Sequence, residues 1–207
     1  MTTTTRSTED ATAVSAGSAH WRTVDIVVAS SIGVAFGVVF WAWGNLWNTM
    51  SPAFTGFPPA QGFMYGVWLM PAVLGALVIR KRGAAIYTEL VAATVSALLG
   101  VSWGLSVVAY GVVQGAAAEI VFAFALYRSW RLATALLSGA VAGLAAAMLD
   151  ILFYYAEWST GWQLVYAVVL AVSSAVIAGA GSWLLVRALA RTGVLSPFAS
   201  GADQVRV

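Results

Sequence analysis

Six long apolar runs, separated by short polar segments, constrain this chain more than any other feature of its sequence. The runs cover roughly 24–46, 62–80, 84–102, 104–127, 131–155 and 163–189. A helix needs about 20 mostly apolar residues to cross the hydrocarbon core of a bilayer, and each run is close to that length. Only 9% of the 207 residues are charged, whereas a soluble domain has about 25%. The sequence therefore predicts an all-α integral membrane protein with six transmembrane helices.

The basic residues predict the topology of these helices. They lie before the first run, between the second and third, between the fourth and fifth, and at the end of the sixth: Arg22, Arg80, Lys81, Arg82, Arg128, Arg131, Arg187 and Arg191. The other three connections contain no Lys or Arg. Because basic residues that flank membrane spans stay on the cytoplasmic side, we expect both termini to be cytoplasmic and the protein to lie in the plasma membrane. The net charge of +2 follows from this topology and does not indicate nucleic-acid binding.

Three parts are expected along the chain. Residues 1–20 are rich in Thr, Ser and Ala and lack an apolar run, which predicts a disordered cytoplasmic tail. Residues 21–191 form the six-helix membrane domain, and 192–207 are expected to be a flexible cytoplasmic tail, since Gly193 and Pro197 end the last helix. The first outer connection, 48–62, contains three prolines, so it is either an ordered, lid-like loop or a long loop without a role.

Several classes of function are excluded by residues that the chain lacks. It has no cysteine, and its one histidine, His20, lies in the polar tail, so neither a disulfide framework nor a His/Cys metal site is expected. A phosphate-binding Gly-Lys loop and a plausible Ser/His/Asp set are also missing. We therefore expect no cofactor and no enzymatic activity, with any ATP hydrolysis supplied by partner subunits.

The segment MLDILFYYAEWSTGW, residues 148–162, has the richest combination of charge and aromatic rings. On a helix Asp150, Tyr154 and Glu157 share one face, and Tyr155 points away from it. Trp158, Trp162 and, from another connection, Trp103 are expected at the same membrane level. One interpretation is an interfacial aromatic belt; the other is the wall of an outward-facing site that attracts a cation to its two acids and holds it against aromatic faces.

Other polar residues inside the runs extend this candidate site. Trp43 and Asn45 end the first helix at the same outer level, and Gln114 lies near the middle of the fourth helix, with Glu119 deeper. Charged residues inside a span face the bundle interior or a wet cavity, which makes each a functional candidate. For Glu89 and Glu119 the alternative is a structural hydrogen bond or an ion pair with Arg80, Arg82 or Arg128. We favour this structural role for Glu89.

The first helix also contains a ridge of small residues, Ala29, Gly33 and Gly37, spaced at i, i+4 and i+8. In a membrane such a ridge allows another helix to approach closely. Spacing alone does not decide whether that helix belongs to this chain or to a partner.

Three stretches resemble a known family: WRTVDIVVASSIGVAFG in the first helix, YGVWLMPAVLGALVIRKRGAAIYTELVAA across the second and third, and SWGLSVVAYGVVQGAAAEIVFA in the fourth. The most specific part is the run from Ile79 to Ala85 followed by Glu89. The chain resembles the substrate-binding (S) components of energy-coupling-factor (ECF) vitamin transporters, in particular the YkoE-type family assigned to thiamine and its hydroxymethylpyrimidine precursor. The resemblance implies an ATP-driven importer in which a coupling membrane protein and ATPase subunits assemble with the S component, and it implies that the ridge of Ala29, Gly33 and Gly37 docks on the coupling protein.

The chemistry of thiamine suggests roles for the candidate residues. In this hypothesis Asp150 and Glu157 attract the cationic thiazolium ring. Trp103, Tyr154, Trp158 and Trp162 stack, and Gln114 and Glu119 read the pyrimidine edge. Trp43 and Asn45 are further substrate-binding candidates because they lie at the same outer level. Two alternatives remain: an S component for another heteroaromatic vitamin, and a non-transport structural or assembly protein whose buried acids only pair helices.

Overall fold

The computed structural model describes residues 20–202, so the predicted tail apart from His20, and the last five residues, lie outside the described part. Every regular element within that part is helical. The α-helices are α1 (Thr23–Met50), α2 (Met70–Ile79), α3 (Ala84–Leu98), α4 (Ser106–Phe124), α5 (Leu132–Phe153), α6 (Thr160–Ser174), α7 (Gly181–Arg191) and α8 (Ala199–Ala202). Two 3₁₀ segments, Ser51–Phe54 and Pro58–Leu69, and a π-helical segment, Ala175–Ala180, complete the order. This all-α arrangement confirms the predicted fold class.

Two of the six spans are composite. The 3₁₀ segment Pro58–Leu69 continues into α2, and α6 continues through the π segment into α7. Five helical stretches are long and apolar enough to cross a membrane: Thr23–Phe54, Pro58–Ile79, Ser106–Phe124, Leu132–Phe153 and Thr160–Arg191. The sixth span is α3, which has 15 residues. The two irregular segments pack against each other, because a Cβ at Gly66 would lie 2.7 Å from Cβ of Ile177.

α3 ends at Leu98, four residues before the end of the apolar run 84–102 that predicted it. Gly100 and Gly104 have positive φ values of 82° and 59°, which glycine adopts without strain, and they form the turn to α4. At about 1.5 Å per residue α3 is about 22 Å long, less than the roughly 30 Å of a hydrocarbon core. Its short length places the turn with Val101 and Trp103 against the bundle, where Val101 is buried.

α2 is the centre of the bundle, since every residue from Pro71 to Ile79 is buried. The helices around it, α3, α4, α5 and α7, all contact it. This explains why the second run carries no polar face in the sequence. A helix that is apolar all round belongs in the interior of a bundle.

The ridge of small residues on α1 is covered by α3. A Cβ at Gly33 would lie 2.7 Å from Cβ of Val91, and one at Gly37 would lie 2.5 Å from Cβ of Val95. Ala29 is fully buried on the same side. The helix that the ridge accommodates is therefore within this chain. In this conformation Ala29, Gly33 and Gly37 are not available as a docking surface, which corrects the role that the resemblance implied.

Both ends of the described chain meet at one end of the bundle. The carboxylate of Asp25 at the start of α1 is buried and receives hydrogen bonds from Lys81 Nζ at 2.6 Å and Arg22 Nη2 at 3.0 Å. Arg22 Nη2 also donates to the carbonyl of Pro197 at 3.3 Å. We call this end, with Arg22, Lys81 and Arg82, the basic end, and the opposite one, with Trp47 and Trp103, the aromatic end.

The segment after α7 is packed and not loose. Leu195 and Phe198 are buried, and the hydroxyl of Ser200 donates to the carbonyl of Val78 at 3.0 Å. The flexible tail predicted for 192–207 is therefore corrected for residues 192–202, because their apolar side chains cover the basic end of α2. Residues 203–207 are outside the described part.

Candidate functional site

A cavity of about 330 Å³ lies within the bundle, toward its aromatic end. α1, the 3₁₀ segment before α2, α3, α4 and the end of α5 all contribute to its lining. Its volume is at the lower end of the range of small-molecule sites, which is about 300–1,000 Å³. The shortness of α3 helps to create it, since the turn after α3 forms one wall where a longer helix would continue.

One wall of the cavity consists of four aromatic rings. Trp68 lies at the centre of this aromatic wall, with its ring centroid 5.0 Å from that of Trp47, 5.2 Å from Tyr65 and 5.7 Å from Trp103. Most of these pairs are edge-to-face, an arrangement that aromatic quadrupoles favour. The rings therefore support one another in fixed orientations, and the wall can accept a flat heteroaromatic ligand.

Tyr65 and Trp68 lie on the same side because of the local backbone. In a 3₁₀ helix three residues complete a turn, so side chains at i and i+3 are aligned. Gly62, three residues before Tyr65, packs against α6, where an added Cβ would meet the side chains of Leu170 and Tyr166. The hydroxyl of Tyr65 is held by the side-chain amide of Gln114, which donates to it at 3.1 Å.

Asp150 brings a carboxylate to the cavity near the aromatic end of α5. Its side chain is 6% exposed, and Oδ2 accepts a hydrogen bond of 2.7 Å from the hydroxyl of Tyr166. The hydroxyl of Tyr110 on α4 faces the same carboxylate without reaching hydrogen-bond geometry. A buried carboxylate with one neutral partner retains capacity to interact with a cation or a hydrogen-bond donor.

Tyr154 and Tyr155 both line the cavity. α5 ends at Phe153, so the helical spacing that would direct Tyr155 away from Asp150 does not apply. The backbone N–H groups of both tyrosines bond to the carbonyl of Asp150, which turns the chain at this point. Burial, and then the nearby Asp150 charge, raise the pKa of Tyr155 to about 12, so its hydroxyl stays protonated. The expectation that Tyr155 faces away was wrong.

The lining at the deep end of the cavity comes from α3 and α4. Glu89, Ala93 and Ser96 lie along one face of α3, and Tyr110, Gly111 and Gln114 lie along one face of α4. A Cβ at Gly111 would lie 2.7 Å from Cβ of Ala93, so the two helices are in close contact there. Glu89 is the residue nearest to the basic end in this lining, since α3 begins at Ala84.

Four of the ten residues proposed from the sequence line the cavity: Trp103, Gln114, Asp150 and Tyr154. Trp158 and Trp162 form an outer layer beside them. The ring of Trp158 stacks on Tyr155 at 4.0 Å with an interplanar angle of 16°, and Trp162 contacts Trp158 edge-to-face. Whether these six contribute to binding remains a prediction.

Four other proposed residues lie outside the cavity lining: Trp43, Asn45, Glu157 and Glu119. Trp43 donates from Nε1 to the carbonyl of Met64 at 2.9 Å, which joins α1 to the 3₁₀ segment. Asn45 is exposed and bonds to the carbonyl of Trp41 in its own helix, and Glu157 is exposed in the connection between α5 and α6.

Glu119 lies at the basic end, away from the cavity. Its Oε1 accepts from the backbone N–H of Gly83 at 2.7 Å and from the hydroxyl of Tyr127 at 2.8 Å, and Oε2 accepts from the N–H of Ala85 at 2.8 Å. These bonds satisfy amides at the start of α3, where backbone N–H groups have no partner within the helix. This geometry matches the structural alternative considered for Glu119.

The sequence did not single out most of the aromatic lining. Tyr65, Trp68 and Tyr110 stand among apolar residues in spans, where an aromatic residue carries no signal of its own. The i, i+3 spacing of Tyr65 and Trp68 would have indicated a shared face only if the 3₁₀ backbone had been known.

Fold and cavity together define a class: a multi-pass helical membrane protein with a ligand-sized, aromatic-lined cavity between its helices. A family model described as the permease component of an ABC-type cobalt transport system matches residues 24–145. Within residues 20–202, no group of three or more His, Cys, Asp or Glu is placed to hold a metal ion.

Two relatives are more specific. YkoE of Bacillus subtilis (strain 168), named as an HMP/thiamine permease protein, is 34% identical over 184 residues, which cover 88% of this chain and 92% of that protein. A crystal structure of an S-component of an ECF transporter matches with a TM-score of 0.86 and 34% identity, covering 90% of this chain and 94% of the other. The chain belongs to the YkoE-type family of ECF transporter S-components. Its relatives are transport components and not enzymes, in agreement with the predicted class.

Proposed function

We propose that this protein is the subunit of an ECF-type importer that captures thiamine or its hydroxymethylpyrimidine precursor at the outer face of the plasma membrane. The observation that carries the proposal is a single cavity lining that contains both an aromatic wall, centred on Trp68, and a buried carboxylate, Asp150. The name of the Bacillus subtilis relative, which mentions HMP and thiamine, supports the same ligand class.

Thiamine has two parts that suit the two features. Its aminopyrimidine is flat and can stack against the aromatic wall, with edge contacts to Gln114. Its thiazolium is a permanent cation, and aromatic faces attract cations while a nearby carboxylate adds direct charge attraction. Asp150, Tyr154 and Tyr155 are the residues that we propose for the cationic part. Trp103 completes the wall, and Trp158 supports Tyr155 from behind.

The remaining residues of the sequence-based hypothesis take indirect roles in this proposal. Glu157 is exposed and acts only by attracting the cation toward the entrance, an effect that salt screens. Trp162 contacts Phe57 in the first connection, so it links that connection to the aromatic layer. Trp43 and Asn45 hold the end of α1, and Glu119 holds the start of α3.

The proposed orientation places the basic end in the cytoplasm and the aromatic end outside. The basic side chains near the ends of the spans support it, because such residues remain on the cytoplasmic side. Both termini are then cytoplasmic, and the cavity is reached from outside. The proposed partners are a coupling membrane protein and ATPase subunits that contact the basic end or the lipid-facing sides of the helices.

Calorimetric titration of the purified protein in lipid nanodiscs tests the proposal. Thiamine and hydroxymethylpyrimidine are expected to bind with 1:1 stoichiometry, whereas riboflavin, a larger flat vitamin, is expected not to bind. Binding of riboflavin alone would assign the protein to another vitamin. Absence of binding by all three would support a structural or assembly protein. Coexpression with the coupling and ATPase subunits of the same organism should yield a copurifying complex.

A further inference from the structure

The segment Pro58–Leu69, which carries two rings of the aromatic wall, is an unusually long 3₁₀ helix. It has 12 residues, whereas runs of more than about three or four are uncommon because their hydrogen bonds have poorer geometry. Pro71 explains where the segment ends. In an α-helix the carbonyl of Val67 would bond to the N–H of residue 71, which proline lacks, and here the N–H of Met70 bonds to it instead. Pro71 does not explain the turns before this point, so contacts with a neighbouring helix must hold them.

Two buried serines on the neighbouring span bond to this part of the chain. The hydroxyl of Ser173 donates to the carbonyl of Phe63 at 2.8 Å, within the 3₁₀ segment. The hydroxyl of Ser182 donates to the carbonyl of Met70 at 3.2 Å, directly after the segment. Between these two bonds the helices are in close contact, because a Cβ at Gly66 would lie 2.9 Å from the carbonyl oxygen of Ser173. The span of α6 and α7 therefore holds the 3₁₀ segment at two points.

The π-helical segment Ala175–Ala180 lies between the two serines and allows both to face the 3₁₀ segment. Nine residues make about 2.5 turns of an α-helix, so Ser173 and Ser182 would point in opposite directions on an unbroken α-helix. A π helix bonds residue i to residue i+5, and its wider turns absorb part of this difference. Both hydroxyls therefore reach the neighbouring span.

The 3₁₀ form matters for the cavity because it aligns Tyr65 with Trp68. Residues i and i+3 are eclipsed in a 3₁₀ helix, whereas they lie about 60° apart around the axis of an α-helix. At rises of about 2.0 and 1.5 Å per residue, the 12-residue segment is about 24 Å long as a 3₁₀ helix and would be about 18 Å long as an α-helix. Conversion to an α-helix would therefore turn Tyr65 away from Trp68 and shorten the span by about 6 Å.

We infer that Ser173 and Ser182 are positioning residues, whose hydroxyl groups hold Pro58–Leu69 in its 3₁₀ form and thereby keep Tyr65 and Trp68 on one face of the cavity. Neither serine lines the cavity, so both act on a ligand only through these two rings. The inference rests on the proposed function. It adds to that function two residues outside the cavity that determine the affinity for a flat heteroaromatic ligand.

A distance measurement along the span tests the backbone directly. The chain has no cysteine, so Gly56→Cys and Arg82→Cys allow one spin label to be attached at each end of the span. A Cβ at Gly56 has open space around it, and Arg82 is exposed. In lipid nanodiscs, Ser173→Ala combined with Ser182→Ala should shorten the distance between the labels, measured by double electron–electron resonance, by up to about 6 Å. The same serine double variant without labels should bind thiamine about tenfold more weakly in calorimetry.

Ser138→Ala is the matched control for the loss of a buried hydroxyl. The hydroxyl of Ser138 is also fully buried, donates to the carbonyl of Ala118 at 3.0 Å, and joins α5 to α4 outside the cavity lining. The control should change neither the distance between the labels nor the affinity for thiamine. Equal changes in the control and in the serine double variant would contradict a specific role for Ser173 and Ser182.

The two measurements separate failure of the inference from failure of the proposed function. An unchanged distance in the serine double variant would overturn the inference, and so would a shorter distance with wild-type thiamine affinity. Absence of thiamine binding by the wild-type protein would instead overturn the proposed function, while the distance would still test the backbone. If the double variant does not fold, Ser173→Ala alone decides, because it removes the bond within the 3₁₀ segment. A distance distribution identical to that of the wild-type protein in Ser173→Ala would then overturn the inference.

Discussion

The hydroxyl of Tyr166 on α6 donates a hydrogen bond of 2.7 Å to Oδ2 of Asp150 on α5, and both side chains are buried. This bond joins two neighbouring helices and holds the carboxylate against the cavity. Tyr166 is itself fixed by edge-to-face contacts with Tyr155 and Trp158. The carboxylate that we propose as a binding group is thus oriented by a second layer of residues from the next helix.

Tyr166→Phe should weaken thiamine binding and lower stability. The substitution removes the hydroxyl alone and leaves Asp150 buried with one donor fewer, which costs about 1–3 kcal/mol. Thermal unfolding in detergent and calorimetry measure the two effects. Tyr87→Phe is the matched control, since it removes a hydroxyl bonded to Ser30 that lies outside the cavity lining. Equal losses of affinity in the two variants would contradict a specific role for Tyr166.

Asp150→Asn should distinguish the two proposed ligands. The substitution keeps the shape of the side chain but removes its charge, so binding of the cationic thiamine should weaken about tenfold, equivalent to about 1.4 kcal/mol. Hydroxymethylpyrimidine lacks the thiazolium, so its affinity should fall much less in this variant. Glu157→Gln, at an exposed position, should change thiamine affinity only slightly, and only at low salt. An equal loss of affinity for both ligands in Asp150→Asn would contradict an electrostatic role for Asp150.

The sequence predicted the spans well and the cavity only in part, for physical reasons. Apolar length and flanking charge predict where a helix crosses a membrane, so all six runs correspond to helical spans. The residues at which helices end depend on local backbone conformation, which apolar length does not predict. The turn at Gly100 ends α3 before its apolar run ends, and α5 ends at Phe153, so that Tyr155 turns toward the cavity. Side-chain partners depend on tertiary packing. A buried acid in a span therefore looks the same in sequence whether it holds a helix start, as Glu119 does, or lines a cavity, as Glu89 does.

Trp68→Ala should produce the largest loss of affinity among single aromatic substitutions. Trp68 contacts Trp47, Tyr65 and Trp103, so its removal takes away a stacking face and loosens the other three rings. Aromatic pairs contribute about 0.5–1.5 kcal/mol each beyond burial, which predicts a weakening of thiamine binding of tenfold or more. Trp183→Ala is the control, because Trp183 contacts Arg187 and does not line the cavity. Comparable losses in both variants would contradict the aromatic wall.

Gly37→Val should destabilise the fold through the contact of α1 with α3. A Cβ at Gly37 would lie 2.5 Å from Cβ of Val95 and 3.0 Å from the carbonyl of Ala92, so the helices must separate to accept it. Overpacking of this kind typically costs about 1–3 kcal/mol. Ala35→Val adds a β-branched side chain to the same helix at an exposed position and should have little effect. Thermal unfolding of both variants in the same detergent measures the difference. If Gly37→Val unfolds at the wild-type temperature, α3 does not cover this ridge in the membrane protein, and the ridge becomes available again for a coupling partner.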